Sequence, residues 1–253
     1  LTENEGTDAD TVDFVEALAA KGFGINEDLQ KLYKSLESEC KTEVNMWGNI
    51  IEYYHITAPA TDGVFASKEP SQEKMDSQWK ESMDDYNVML VTIGRSSTEN
   101  GTYLPGVDGV DASQDLNQTD PLGLSDDERD LINAAVEAKE NNGGKVIVML
   151  NNANAMEIDE IKNNDGVDAI MEIGFPGGYG FYGVADILSG EANPSGHLTD
   201  TYAVTNANSP SAQNFGNYEW TNADPSVNIN AEEVEAEDIY TGYKYYETRY
   251  ADT

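Results

Sequence analysis

Apolar positions recur with a helical period through the first third of the chain. Leu29, Leu32, Tyr33 and Leu36 fall at i, i+3, i+4 and i+7, a single stripe down one helix face. Val12, Val15, Leu18 and Ala19 form a looser stripe upstream, closed by Gly22 and Gly24. Between residues 40 and 69 the pattern blurs: Ile50 to Ile56 reads as a strand, and Pro59 to Gly63 as a turn cluster. Pro70 then opens a helix with Met75, Trp79 and Met83 on one side.

Beyond Asn87 the period changes. Val88–Ile93 and Val146–Leu150 are short apolar runs rich in β-branched residues, which predicts strands covered on both faces, and Val167–Ile173 gives a third. A helix starts at Ser125, where Ser125-x-x-Glu128 is a capping box and Leu131, Ile132, Ala135 and Val136 form the buried face. A later helix places Phe181, Val184, Ala185 and Leu188 at i, i+3, i+4 and i+7 before Gly190 stops it. Strand alternating with helix implies right-handed crossovers and a mostly parallel sheet with helices on both faces, a three-layer α/β/α sandwich. Three strands are few for this many helices, and a chain opening on a helix lacks the strand that normally precedes it. The expectation is therefore a fragment cut just after its first strand. The sandwich should occupy residues 1–202. Residues 203–238 show no period and are rich in Asn, Ala, Ser, Pro and Glu, and 239–253 reads as an aromatic, strand-like closing segment.

Composition narrows the function classes. The 253 residues carry 14 Lys+Arg against 48 Asp+Glu, a formal charge of −34. Such a surface repels phosphate, so nucleic acid is excluded as a partner. Hydrophobic residues make up 39% of the chain, which is enough for a core despite the charge. No apolar run approaches the roughly 18 residues of a membrane-spanning helix. Cys40 is the single cysteine, and His55 and His197 are the only histidines, so neither a disulfide framework nor a thiolate or His-rich metal site is expected. No cofactor is called for, and the charge fits an extracellular or a cytoplasmic setting equally.

In an open parallel sheet, ligands bind beyond the carboxyl ends of the strands. The loop from Gly94 to Leu124 is about 31 residues long, where loops above roughly 12–15 are usually functional or disordered. It carries Arg95, Glu99, Tyr103, Asp108, Asp111 and Asp115, and reads either as the seat of a catalytic carboxylate or as a solvated acidic loop. The loop Gly174–Gly183 contains G-x-G-x-x-G, but the match begins several residues past the strand, and no ribose-binding acid follows it. Glycines that let a turn and a helix pack closely are the favoured reading there. Ser195 and His197, two apart in a Pro/Gly turn, are poorly placed to act as nucleophile and base.

Three stretches resemble glycoside hydrolase family 3. Gly94-Arg95-Ser96-Ser97-Thr98-Glu99-Asn100-Gly101 is similar to its strand-end GR-x-SGEG loop, with Thr98 and Asn100 where glycines are usual. Phe175-Pro176-Gly177-Gly178, followed by Ala185 through Thr201, resembles its PGQ-x-G…ADVL-x-G-x-x-NPSGRLP-x-T block. Ile239 through Glu247 resembles GIYVGYRYYE. The resemblance implies the α/β sandwich domain of an exo-acting retaining β-glycosidase, often a β-glucosidase. In such enzymes a (β/α)8 barrel supplies the nucleophilic Asp, and the sandwich lends a Glu as general acid/base. Glu99 stands at that Glu position, with Arg95 shaping its loop. The SSTENG wording is similar to a bacterial branch in which the sandwich precedes the barrel. The implied partners are that barrel and a β-glucoside or related oligosaccharide, and the fragment alone is expected to be inactive. Two other readings remain: a non-catalytic sugar-binding module, with Phe215, Tyr218 and Trp220 lining a subsite, and a nucleotide-binding domain built on the Gly174–Gly183 loop.

Overall fold

The computed structural model describes residues 11–36, 42–46, 49–53, 56–60, 64–67, 77–95, 122–214 and 236–252. Its centre is a parallel sheet of β5 (Val88–Gly94), β6 (Lys145–Asn151) and β7 (Ala169–Glu172), in the order β5-β6-β7. The helices are α1 (Phe14–Ala20), α2 (Glu27–Leu36), α3 (Ser77–Met83), α4 (Asp126–Asn142), α5 (Asp159–Lys162), α6 (Gly180–Ser189), α7 (Pro210–Asn214) and α8 (Tyr243–Asp252). Two antiparallel hairpins, β1 (Thr42–Met46) with β2 (Asn49–Tyr53) and β3 (Ile56–Ala60) with β4 (Val64–Ser67), precede α3.

Alternation along the central strand builds the three layers. Val146, Val148 and Leu150 of β6 point to one face, where they meet Ile132, Ala135 and Ala138 of α4, Met83 of α3 and Leu36 of α2. Met149 points to the other face, against Ala17 and Leu18 of α1 and Phe181, Val184 and Ala185 of α6. The parallel α/β/α sandwich is thus as the sequence predicts. Cover on both faces holds for β6 but not for β5. Met89, Val91 and Ile93 are buried, while Thr92 is exposed and Leu90 half-buried, because β5 is an edge strand among the described residues.

Other expectations are corrected. Pro59 lies inside β3 rather than in a turn, while residues 61–63 of the expected turn cluster lie outside the described residues. The segment 203–238 is not wholly irregular: a short 3-10 turn at Asn206–Asn208 is followed by α7. The closing aromatic segment is helical over Tyr243–Asp252, not strand-like. At helical spacing, Tyr245 and Arg249 meet four residues apart, where the guanidinium Nη1 donates to the phenol oxygen at 2.8 Å and Cζ lies 5.9 Å from the ring centroid. An aromatic run prefers a strand only where a neighbouring strand receives it.

The amino edge of the sheet is held by charge. Asp168, just before β7, accepts from Lys145 and Lys139, each at 2.8 Å, and from the Val146 backbone N–H at 2.9 Å. The two ammonium groups and the amide hold its carboxyl well below the usual range. A depressed folded-state value stabilises fully above the ordinary Asp pKa of about 4, and the contribution fades as pH falls below it. Asp168→Asn is therefore expected to lower Tm at neutral pH, with the gap from wild type narrowing near pH 3. Thermal unfolding at several pH values checks this, and a gap independent of pH would contradict it.

Candidate active site

The carboxyl edge collects the ends of all three strands. The chain leaves β5 at Gly94, which pairs with Asn151 of β6, and the Arg95 N–H donates to the Asn151 carbonyl at 3.3 Å. The next residues, including Glu99, Tyr103, Asp108, Asp111 and Asp115, lie outside the described residues, which resume at Leu122.

Arg95 is only 3% exposed. Its Nη1 donates to Glu128 Oε1 at 2.6 Å and to the Gly94 carbonyl at 2.7 Å. Its Nη2 donates to Glu128 Oε2 at 2.8 Å and to the Gly123 carbonyl at 2.7 Å. This is a two-pronged guanidinium–carboxylate pair, a geometry that lysine does not offer. It fastens residues 94–95 to residues 123–128, closing the base of the long loop. Glu128 serves there twice. Its Oε2 also accepts the Ser125 N–H at 2.9 Å, while Ser125 Oγ accepts the Glu128 N–H at 3.2 Å, so the expected capping box is formed.

The loop after β6 is stitched on both sides. Asn151 and Asn152 are buried, and Asn151 Nδ2 donates to the Gly174 carbonyl beyond β7. Asn152 Oδ1 accepts the Asn154 N–H at 3.2 Å. The Glu157 N–H donates to the Leu122 carbonyl at 2.9 Å, and Glu157 Oε1 accepts the Asn206 N–H at 2.6 Å. At the end of β7, Glu172 accepts from the Gly174 N–H at 2.7 Å and from the Tyr202 hydroxyl at 2.9 Å. Burial and the Glu172 charge push the Tyr202 phenol up, so it stays a protonated donor. Sequence reasoning passed over Asn151, Asn152, Glu157, Glu172 and Tyr202. The Asn151-Asn152 pair directly after an apolar strand was the available signal, since buried amides need fixed partners.

The glycine-rich loop packs, as its favoured reading expects. Gly177 adopts φ 66°, a side chain on Gly180 would lie 2.8 Å from Pro176 Cβ, and the Gly178 carbonyl accepts the Val12 N–H at 2.9 Å. These contacts seat α6 on α1, with Phe14 and Phe181 rings 5.4 Å apart. Ser195 and His197 sit in the fully exposed stretch 191–200, which gives neither the shielding nor the orientation a nucleophile–base pair needs. Phe215, Tyr218 and Trp220 lie outside the described residues. Among the described residues no acidic, His or Cys cluster suits a metal ion, and no helix is long and apolar enough to cross a membrane.

Known proteins are similar to this chain in sequence and, for solved structures, in fold. The chain is 27% identical over 248 residues to a β-glucosidase of Ruminococcus albus, covering 92% of this chain and 20% of that protein. It is 26% identical over 204 residues to thermostable β-glucosidase B of Acetivibrio thermocellus, covering 77% and 24%. Among solved structures, β-glucosidase 3B from Thermotoga neapolitana in complex with glucose superposes with a TM-score of 0.63 at 26% identity, over 94% of this chain and 28% of that one. The chain therefore spans between a fifth and somewhat over a quarter of these relatives. The family profile for the glycosyl hydrolase family 3 C-terminal domain matches residues 6–246, nearly the whole length, and with the strand-end Gly94-Arg95 pair and the parallel sandwich it assigns this chain to glycosyl hydrolase family 3.

Proposed function

We propose that this chain is the sandwich domain of an exo-acting retaining β-glycosidase of β-glucosidase type. It lends Glu99 as general acid/base to a site completed by a (β/α)8 barrel outside these 253 residues. The carrying observation is the Arg95–Glu128 clasp, which joins Arg95, at the carboxyl end of β5, to Glu128 of α4 on either side of the segment bearing Glu99; in open parallel sheets ligands bind beyond that end of the strands. Similarity to the two β-glucosidases named above supports the substrate class, a β-glucoside or related oligosaccharide.

Retaining hydrolysis needs two carboxyl groups about 5–5.5 Å apart, one attacking the anomeric carbon and one protonating the leaving oxygen. Glu99 takes the second role and the barrel's Asp the first. Glu99 donates its proton as the glycosidic bond breaks. It then accepts one from the water that hydrolyses the glycosyl-enzyme intermediate. Arg95 supports the loop and does not touch the reacting atoms. Alone, the chain holds a proton donor without a nucleophile and is inactive. The test is glucose release from cellobiose by the barrel-containing enzyme before and after Glu99→Gln. A large loss supports the role, and unchanged turnover overturns it.

A further inference from the structure

We infer that Glu128 is a positioning residue for the acid/base loop, acting through Arg95; the inference rests on the reading of Glu99 above. Read from sequence, Glu128 is half of a local capping box. In the fold Glu128 is 5% exposed, and its carboxylate divides its lone pairs between the Ser125 N–H and both terminal nitrogens of Arg95. The guanidinium in turn holds the Gly94 and Gly123 carbonyls, each at 2.7 Å. One carboxylate thus fixes the N-terminus of α4, the exit from β5 and the re-entry of the chain at residues 122–125. A cap alone needs none of the contacts to Arg95. Glu99 is four residues from Arg95 along the chain. A proton donor must sit within hydrogen-bond reach of the leaving oxygen, and a displacement of about 1 Å from a remote change costs up to roughly 100-fold.

The readout is the ratio of kcat/KM on cellobiose to kcat/KM on 2,4-dinitrophenyl β-glucoside, measured in the barrel-containing enzyme. The aryl leaving group departs without a proton, so the ratio isolates acid catalysis, and both values come from one preparation, so loss of folded protein cancels. Glu128→Gln is expected to lower the ratio about 10- to 100-fold. Arg95→Met/Glu128→Leu, which replaces the pair by apolar groups that a fold tolerates, is expected to lower it likewise and gives the answer even where Glu128→Gln fails to fold. Ser125→Ala weakens the cap and is expected to lower Tm while leaving the ratio unchanged. Ratios within about twofold of wild type for every Glu128 variant that folds, alongside a lowered ratio in Glu99→Gln, overturn the inference and leave the acid/base reading standing. An unchanged ratio in Glu99→Gln itself overturns that reading, and the inference with it.

Discussion

In the barrel-containing enzyme, Glu99→Gln is expected to lower kcat/KM on cellobiose by about 10²- to 10⁴-fold while changing kcat/KM on 2,4-dinitrophenyl β-glucoside little. The difference lies in the leaving group. Glucose departs as a strongly basic alkoxide unless it receives a proton in the transition state, whereas dinitrophenolate is already a stable anion. The amide keeps the shape of the side chain and removes the proton, so binding through the rest of the site is retained. A second consequence concerns pH. A general acid is productive only while protonated, so the alkaline limb of the kcat/KM profile on cellobiose reports its ionisation and should vanish in the variant. Turnover on the aryl substrate should become limited by hydrolysis of the glycosyl-enzyme, since the water has lost its base, and azide, which needs none, should accelerate it. Expressed without a barrel, the chain should release no product from either substrate. Equal loss on both substrates, or an intact alkaline limb, contradicts the assignment.

Much of this strand-end site is legible in the sequence because its signals are local. The apolar runs that become β5 and β6, the Ser125-x-x-Glu128 cap and Gly190, at φ 80°, each declare themselves within a few residues. The position of Gly94-Arg95 at a strand's carboxyl end follows from the same runs. What stays hidden is long-range. Arg95 and Glu128 are 33 positions apart, and no period or motif links them. Glu128 reads as a cap residue, complete in itself, until the fold brings the guanidinium alongside. Glu172 and Tyr202, 30 positions apart, are hidden for the same reason. The Tyr243–Asp252 helix misleads in the opposite way: its aromatics carry strand preference that is realised only beside another strand.

The same clasp governs stability, and its burial decides how strongly. Glu128→Leu is expected to cost about 3–5 kcal/mol, because it removes the carboxylate that both terminal nitrogens of Arg95, a residue only 3% exposed, donate to. For a domain of this size the Tm falls by roughly 10 °C. Arg95→Met should cost a similar amount by stranding the carboxylate, eased by the Ser125 N–H that still donates to it. The double variant Arg95→Met/Glu128→Leu should recover most of the loss and stay about 1 kcal/mol below wild type, since the half of the capping box that Glu128 supplied is not replaced. The singles are therefore strongly non-additive, which a double-mutant cycle in urea measures directly. The Arg129–Glu160 pair sets the contrast. Its Nε–Oε2 distance is 2.7 Å, but the side chains are 36% and 59% exposed, so Arg129→Met is expected to cost less than about 1 kcal/mol. Distance alone ranks the two pairs as equals, whereas solvent access separates them by several-fold. If the Arg95 and Glu128 single variants proved additive, or no costlier than Arg129→Met, the clasp would hold neither the loop base nor the helix start.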